Sequence, residues 1–303
     1  MHKPTNKLPA ASLDPQRLMM FPREINRLFS NMNPEFVNGR GLAVQFFSAQ
    51  PNEGTSTIAR DFALTSAQFV DGPVLLLDFD WGQDSHFKHF QRALQQEGVD
   101  SKLESPLDLD LDLSPLIGRT EPTNGMTALE FHPIEPWPRN RPTRRASGIE
   151  LTPPDRESAS STDPVSDVAK DGTTEPRHQP QTEPAAHTGL PERGLILGRT
   201  AHSLQDIPGS APCILNRPDI WSLLRGYFRM IVVDSPPSNQ SPDAFVISGS
   251  MDAVIIVVRA ESTRAPVVAD MRDRLVSQGA PLAGVILNHR RFYIPQRVYR
   301  WLG

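Results

Sequence analysis

Leu42-Ala-Val-Gln-Phe-Phe-Ser-Ala-Gln-Pro-Asn-Glu-Gly-Thr-Ser-Thr57 is the stretch that decides the fold. Leu42 to Phe47 is a short apolar run of the kind that forms a buried strand, and Ser48 to Thr57 is a tight polar loop. Ile58, Phe62, Leu64, Ala67 and Phe69 then recur at helix-compatible spacing between Ser56 and Val70. Val74 to Leu77 is a second apolar strand that stops at Asp78. Strand, loop, helix, strand is the unit from which parallel sheets are built.

A loop between a buried strand and a helix N-terminus turns successive backbone N–H groups toward one point. The helix dipole adds partial positive charge there, so a polyphosphate is held largely by main chain. Gly54 permits close backbone approach, and Ser56 or Thr57 offers a hydroxyl to magnesium. Taken alone, the loop fits an ordinary strand-to-helix turn at least as well, because it has no lysine. Two further strand ends shift that balance. Asp78 and Asp80 follow one strand in LLLDFD, and Asp234 ends another in MIVVDSPP. Open α/β sheets bind ligands at the carboxyl ends of their strands, and a carboxylate there holds the water shell of magnesium.

Outward from this centre, Ile25, Leu28, Phe29 and Met32 mark one face of an amphipathic helix over Pro22 to Met32, preceded by a loose tail over residues 1–21. Past Gln91 the pattern weakens. LDLDLDL, Leu107 to Leu113, fits an edge strand and a solvated acidic segment equally well. Fourteen of the 30 prolines fall between Pro106 and Pro191, and no aromatic residue separates Trp137 from Trp221. Residues 138–191 are therefore expected to be a disordered Pro/Ser/Thr-rich insert. Order returns near Leu195, with helices at Ile220 to Tyr227 and Pro266 to Gln278 and strands at Met230 to Val233, Ala253 to Val258 and Val285 to Leu287. Five strands alternating with helices predict a doubly wound, mostly parallel α/β sheet, one domain assembled from residues 22–137 and 192–303.

Composition closes other doors. A net charge of −4 leaves no basic footprint for nucleic acid. No apolar run approaches the roughly 18 residues of a membrane span, and the polar N-terminus has no apolar signal core. A cytoplasmic protein is expected, peripheral at the inner membrane only through a partner. Cys213, the single cysteine, has no evident base and is expected to be inert. His86 and His89, lacking a third ligand in sequence, are expected to be surface histidines. Pro295 starts a short C-terminal segment in which Val298, Trp301 and Leu302 share a helical face.

SAQPNEGTSTIARDFALTSAQ with VLLLDFD, IVVDSPPSNQSPDA, MDAVIIVVRAES and GVILNHRRFYIP resembles the cytoplasmic domain of bacterial tyrosine kinases of the CpsD/CapB and Wzc type. These are relatives of the MinD/ParA P-loop ATPases and regulate capsule and exopolysaccharide polymerisation and export. The resemblance covers roughly residues 22–90 and 195–296. It implies that Pro51, Glu53, Gly54, Thr55, Ser56 and Thr57 form the Walker A loop, with Asp234 as the Walker B aspartate. It makes Asp78 and Asp80 the catalytic acidic pair, and assigns Ser56, Asp78 and Asp234 to the magnesium of Mg-ATP or Mg-ADP. The implied partner is the cytoplasmic end of a Wzz/Wzc-type polysaccharide co-polymerase, with self-association through Glu24 and Arg27.

The departures fall where chemistry and assembly occur. Against the family pattern SxxPGEGKST, Asn52 replaces a glycine and Thr55 the lysine. A unit charge about 4 Å from a phosphate oxygen is worth on the order of 4 kcal/mol at an effective dielectric near 20, roughly a thousandfold in rate. Gly82 replaces the arginine of DxDxR, and Ser30 the second arginine of ExxRxxR. The family's C-terminal tyrosine cluster is reduced to Tyr293 and Tyr299. The reading is a regulatory, nucleotide-binding pseudokinase of an exopolysaccharide system. Its alternatives are an active tyrosine kinase with the lysine replaced, and a MinD/ParA-like ATPase.

Overall fold

The computed structural model describes residues 14–32, 41–79, 85–96, 103, 129–134, 190–200 and 218–290. Within them, seven strands form one sheet: β1 (Leu42–Ser48), β2 (Pro73–Asp78), β3 (Leu129–Pro133), β4 (Gly194–Thr200), β5 (Met230–Asp234), β6 (Ala253–Arg259) and β7 (Leu282–Asn288). Their order is β3-β4-β2-β5-β1-β6-β7, and every pairing is parallel except β3 with β4. The five expected strands are present, and β3 and β4 add two more at one edge. β3 is five residues long and ends in proline, while β4 carries Gly194 and Gly198, so neither presents a decisive alternation. Gly198 packs closely on Leu75, whose Cδ1 would lie 2.9 Å from a Cβ placed there, so a larger residue obliges that side chain to shift.

The helices are α1 (Pro22–Met32), α2 (Thr55–Phe69), α3 (Ser85–Gln96), α4 (Pro218–Tyr227), α5 (Asp243–Ser248) and α6 (Ala265–Ser277). Side chains alternate along each strand, so β1, β2, β5 and β6 feed two separate cores. Phe47, Leu75, Leu77, Ile231, Val233, Val254 and Ile256 pack with Trp221 and Leu224 of α4 and Met271 and Leu275 of α6. On the other face, Phe46, Leu76, Val232 and Ile255 pack with Ile25 and Phe29 of α1, Ile58 and Phe62 of α2, and Phe90 and Leu94 of α3.

Part of the expected tail is ordered against the domain. Residues 14–21 are docked: a 3-10 turn spans Pro15–Leu18, Leu18 and Met19 pack on the second core, and the backbone N–H groups of Met20 and Phe21 donate to Asp61 Oδ2, both at 2.8 Å. Leu190, expected in the insert, packs against the first core. The remainder of residues 138–191, the LDLDLDL run, Cys213 and the C-terminal segment from Phe292 lie outside the described residues.

The direction in which successive strands are added across the sheet reverses between the parallel neighbours β1 and β5. β1 leads through α2 to β2 on one side of β5, whereas β5 leads through α5 to β6 on the far side of β1. The carboxyl ends of these two strands therefore border a crevice, the place where open α/β sheets bind ligands.

Candidate functional site

Three elements meet at that crevice. After β1, the loop from Ala49 to Gly54 turns into α2. Asn52 has φ +65° and Gly54 φ +91°, both left-handed. Asparagine is among the residues that enter this region most readily, so Asn52 keeps the backbone turn of the glycine it replaces. Gly54 has no such freedom, because a Cβ would sit 2.1 Å from Asn288 Nδ2. That same amide donates to the Glu53 carbonyl at 2.9 Å, pinning the end of β7 to the loop.

Glu53 is buried and its carboxylate holds the loop together. Oε2 accepts the N–H groups of Ala49 (2.8 Å) and Gln50 (3.0 Å), and Oε1 accepts the N–H of Arg259 (3.3 Å) and the Thr263 hydroxyl. The carboxylate of this loop residue is thus engaged by the protein itself, and Glu53 still lines the cavity.

Pro51, Asn52, Glu53, Gly54, Thr55, Ser56 and Thr57 line a cavity of about 260 Å³ together with Asp234 and the Ser235-Pro236-Pro237 turn. This is below the roughly 300–1,000 Å³ of sites that enclose a whole drug-sized ligand, and it suits a phosphate chain. The cavity walls are tied together. Ser238 N–H donates to the Ser48 carbonyl (2.9 Å), Ser235 N–H to the Phe46 carbonyl (3.1 Å), and the buried Gln45 amide to Ser235 Oγ (2.9 Å). Thr55 begins α2, is buried, and its Oγ1 has no partner among the described residues.

Asp78 and Asp234 end adjacent parallel strands and are register partners. Both are buried, at 3% and 2% exposure, where an uncompensated carboxylate is costly. Compensation comes from α3, expected to carry surface histidines. His86 is fully buried instead: its backbone N–H donates to Asp78 Oδ2 at 3.2 Å, and its Nε2 lies 2.8 Å from Asp234 Oδ2. Ser85 Oγ is 3.5 Å from Asp78 Oδ2. His89, one turn on, is half-buried, and burial chiefly, then the charge of Arg60, holds its pKa down to about 4. The surface expectation fails for both residues because Phe90 and Leu94 fold α3 onto the sheet, so His86 faces inward.

Arg60 is the other unexpected charge. It lies in α2, whose residues from Ile58 to Ala67 are all buried, next to the fully buried Asp61. Burial lowers the Arg60 pKa from its ordinary value, opposed by the charges of Asp61, Asp234 and Asp78. Burial raises the Asp61 pKa, opposed by the N–H groups of Phe21 and Met20 and by Arg60. An Arg-Asp pair within a helix that has no other charged residue was the available signal for both.

Of the expected site residues, the structure brings together the loop residues, Asp78 and Asp234. Asp80 and Gly82 lie outside the described residues, as do Tyr293 and Tyr299. Glu24, Arg27 and Ser30 lie exposed on α1, far in sequence from the crevice. Gln45, Arg60, His86 and Asn288 belong to the site region and were assigned no site role from the sequence.

Fold and strand-end crevice together define a doubly wound α/β domain whose structural neighbours are bacterial tyrosine kinase domains. The kinase domain of the Escherichia coli tyrosine kinase ETK matches with a TM-score of 0.52 at 16% identity, over 97% of this chain and 86% of that one. The VpsO kinase domain matches at 0.47 and 18% identity over 91% and 96% of the two chains. The BceF tyrosine kinase domain matches at 0.46 and 16% over 88% and 76%. No family model matches the chain, and no curated protein matches it in sequence. Among the described residues, no helix is long and apolar enough to cross a membrane.

Proposed function

We propose that this chain is a kinase-like P-loop protein of an exopolysaccharide or capsule system, acting as a regulatory nucleotide-binding pseudokinase. One observation carries the reading: the loop keeps its left-handed turn, its internal Glu53 staple and its helix N-terminus, while position 55 offers a buried hydroxyl in place of a cation. A cradle of backbone N–H groups still binds phosphate. Phosphoryl transfer needs stabilisation that is greater in the transition state than in the ground state, and the charge that supplies it is absent.

The donors fit Mg-ADP or Mg-ATP. Ser56, Asp78 and Asp234 supply oxygens, and Asp234 Oδ1 is buried with no partner among the described residues. Bound magnesium neutralises phosphate charge. The exopolysaccharide assignment rests on the motif resemblance, and so does the partner in this reading, the cytoplasmic end of a Wzz/Wzc-type co-polymerase. Calorimetry with ADP, Mg-ADP and Mg-ATP tests binding, and phosphotyrosine detection after incubation with Mg-ATP tests catalysis. Binding without phosphotyrosine is expected. Robust phosphotyrosine abolished by Asp78→Asn would overturn the reading.

A second reading, an active tyrosine kinase, is favoured by Arg60 alone, a buried cation coupled to both Asp78 and Asp234. It predicts that Arg60→Met removes activity while leaving nucleotide affinity within a few-fold.

A further inference from the structure

We propose that Asp78, His86 and Asp234 form a mixed nitrogen and oxygen site for a divalent cation of the zinc and cobalt class, preferred over magnesium. The inference concerns the ion alone and holds whether or not nucleotide binds beside it.

Geometry comes first. One ligand atom from each of the three side chains lies within 4.8 Å of the other two, and all three side chains are buried. Adjacent ligands of a single ion at about 2.0–2.2 Å lie roughly 3–3.6 Å apart, so the three close onto an ion by drawing together by up to about an ångström. His86 Nε2 and Asp234 Oδ2, at 2.8 Å, are already near the separation of adjacent ligands. The three come from the end of β2, the first turn of α3 and the end of β5, and so are fixed by the sheet and the packing of α3. A separate observation points to a ligand: Asp234 Oδ1, buried and lining the cavity, has no hydrogen-bond partner among the described residues.

Chemistry then selects the ion. Two carboxylates alone form an oxygen site of the kind magnesium uses, through bound water and octahedral geometry. An imidazole on the same carboxylate changes the preference, because nitrogen donors suit zinc, cobalt and nickel, and magnesium binds them poorly. Magnesium can take Asp78 and the unpartnered Asp234 Oδ1 but gains nothing from the imidazole, which stays hydrogen-bonded to Asp234 Oδ2. A borderline ion replaces that hydrogen bond with bonds to both partners. The cavity beside Asp234 admits water to complete the shell.

The test titrates the full, nucleotide-free protein with zinc, cobalt, manganese and magnesium separately by calorimetry, and records the visible absorption of the cobalt form. The expected result is zinc and cobalt at least tenfold tighter than magnesium, with cobalt bands showing a nitrogen ligand. His86→Ala is expected to weaken zinc by ten- to a hundredfold and to narrow the preference. His86→Gln retains a hydrogen-bonding group for Asp234 and removes the imidazole, so it carries the test if the alanine variant does not fold. Magnesium binding as tightly as zinc in the unmodified protein would overturn the proposal. So would zinc binding unchanged in folded His86→Gln, which would leave His86 a purely structural hydrogen-bonding residue.

Discussion

The two faces of the sheet are packed by opposite rules. Against α4 and α6 the interior is almost wholly apolar, with uncharged polar groups buried beside it: the Gln45 amide donates to Ser235 Oγ and to the Ala244 carbonyl, and the Ser248 hydroxyl to the Phe245 carbonyl. Against α2 and α3 the same strands bury Asp78 and Asp234, and the helices bury Arg60, Asp61 and His86. Both faces bury large apolar cores, but buried charge lowers stability unless it is paired, so the second face also carries groups that packing alone would not select. The phosphate-binding loop opens on the charged side. That asymmetry is a physical reason, separate from any motif, to look for function there.

The largest expected effect breaks the apolar face. Trp221 is fully buried in α4, and Trp221→Ala should remove about 3–5 kcal/mol through lost burial and a cavity, read as a lower midpoint in urea unfolding. Substitution on the charged face costs less and has a local signature. Asp61→Ala removes the acceptor for the N–H groups of Met20 and Phe21 and leaves Arg60 less compensated. About 2 kcal/mol is expected, with hydrogen exchange rising first in residues 14–21.

Acid should act on the charged face alone. The native state holds His89 near pKa 4, chiefly by burial and then through the charges of Arg60, His86 and Arg92, whereas the unfolded side chain titrates near 6.5. Between those values the unfolded chain binds more protons, so stability falls as pH drops through 6.5 and levels off near 4. The full shift corresponds to about 3 kcal/mol, reduced to roughly 1–2 by partial solvent access. Burial of His132 acts in the same direction, while the raised pKa of Asp61 acts against it as pH approaches the carboxylate range. His89→Phe should flatten the dependence of melting temperature between pH 6.5 and 4.5, with no matching change from substitutions on the α4 face.

What was legible in sequence follows the same division. β1, β2, β5, β6 and β7 are apolar runs bounded by turn residues, and their hydrophobicity is a local signal. β3 and β4 are held by long-range features: the antiparallel pair, and Leu75 Cδ1 fitting against Gly198. Such contacts leave no period to read. The loop and the strand-end aspartates were legible because backbone turns and strand ends constrain residue type. The position of His86 was not, since whether a helical histidine faces solvent or a carboxylate depends on how Phe90 and Leu94 seat α3. Arg60 was marked in sequence only by its neighbour Asp61, and the other charges that act on it, Asp78 and Asp234, are distant in sequence.

The smallest effect on stability should be the most informative about function. Thr55 opens α2 at 6% exposure, borders the cavity, and its Oγ1 has no partner among the described residues, so replacing it removes no hydrogen bond described there. In Thr55→Lys the aliphatic stem extends along the cavity wall and the ammonium reaches toward the phosphate cradle, with a stability change expected within about 1 kcal/mol. A charge there interacts with phosphate by on the order of 4 kcal/mol before desolvation, of which a fraction survives as affinity. Mg-ATP binding is therefore expected to tighten about tenfold by calorimetry, since 1.4 kcal/mol is a factor of ten. Phosphotyrosine should stay at background, because the added lysine restores neither the arginine replaced by Gly82 nor the family's tyrosine cluster. Unchanged affinity in a folded Thr55→Lys protein would mean that the cavity does not take phosphate, and strong autophosphorylation would mean that Thr55 alone silences an otherwise complete kinase.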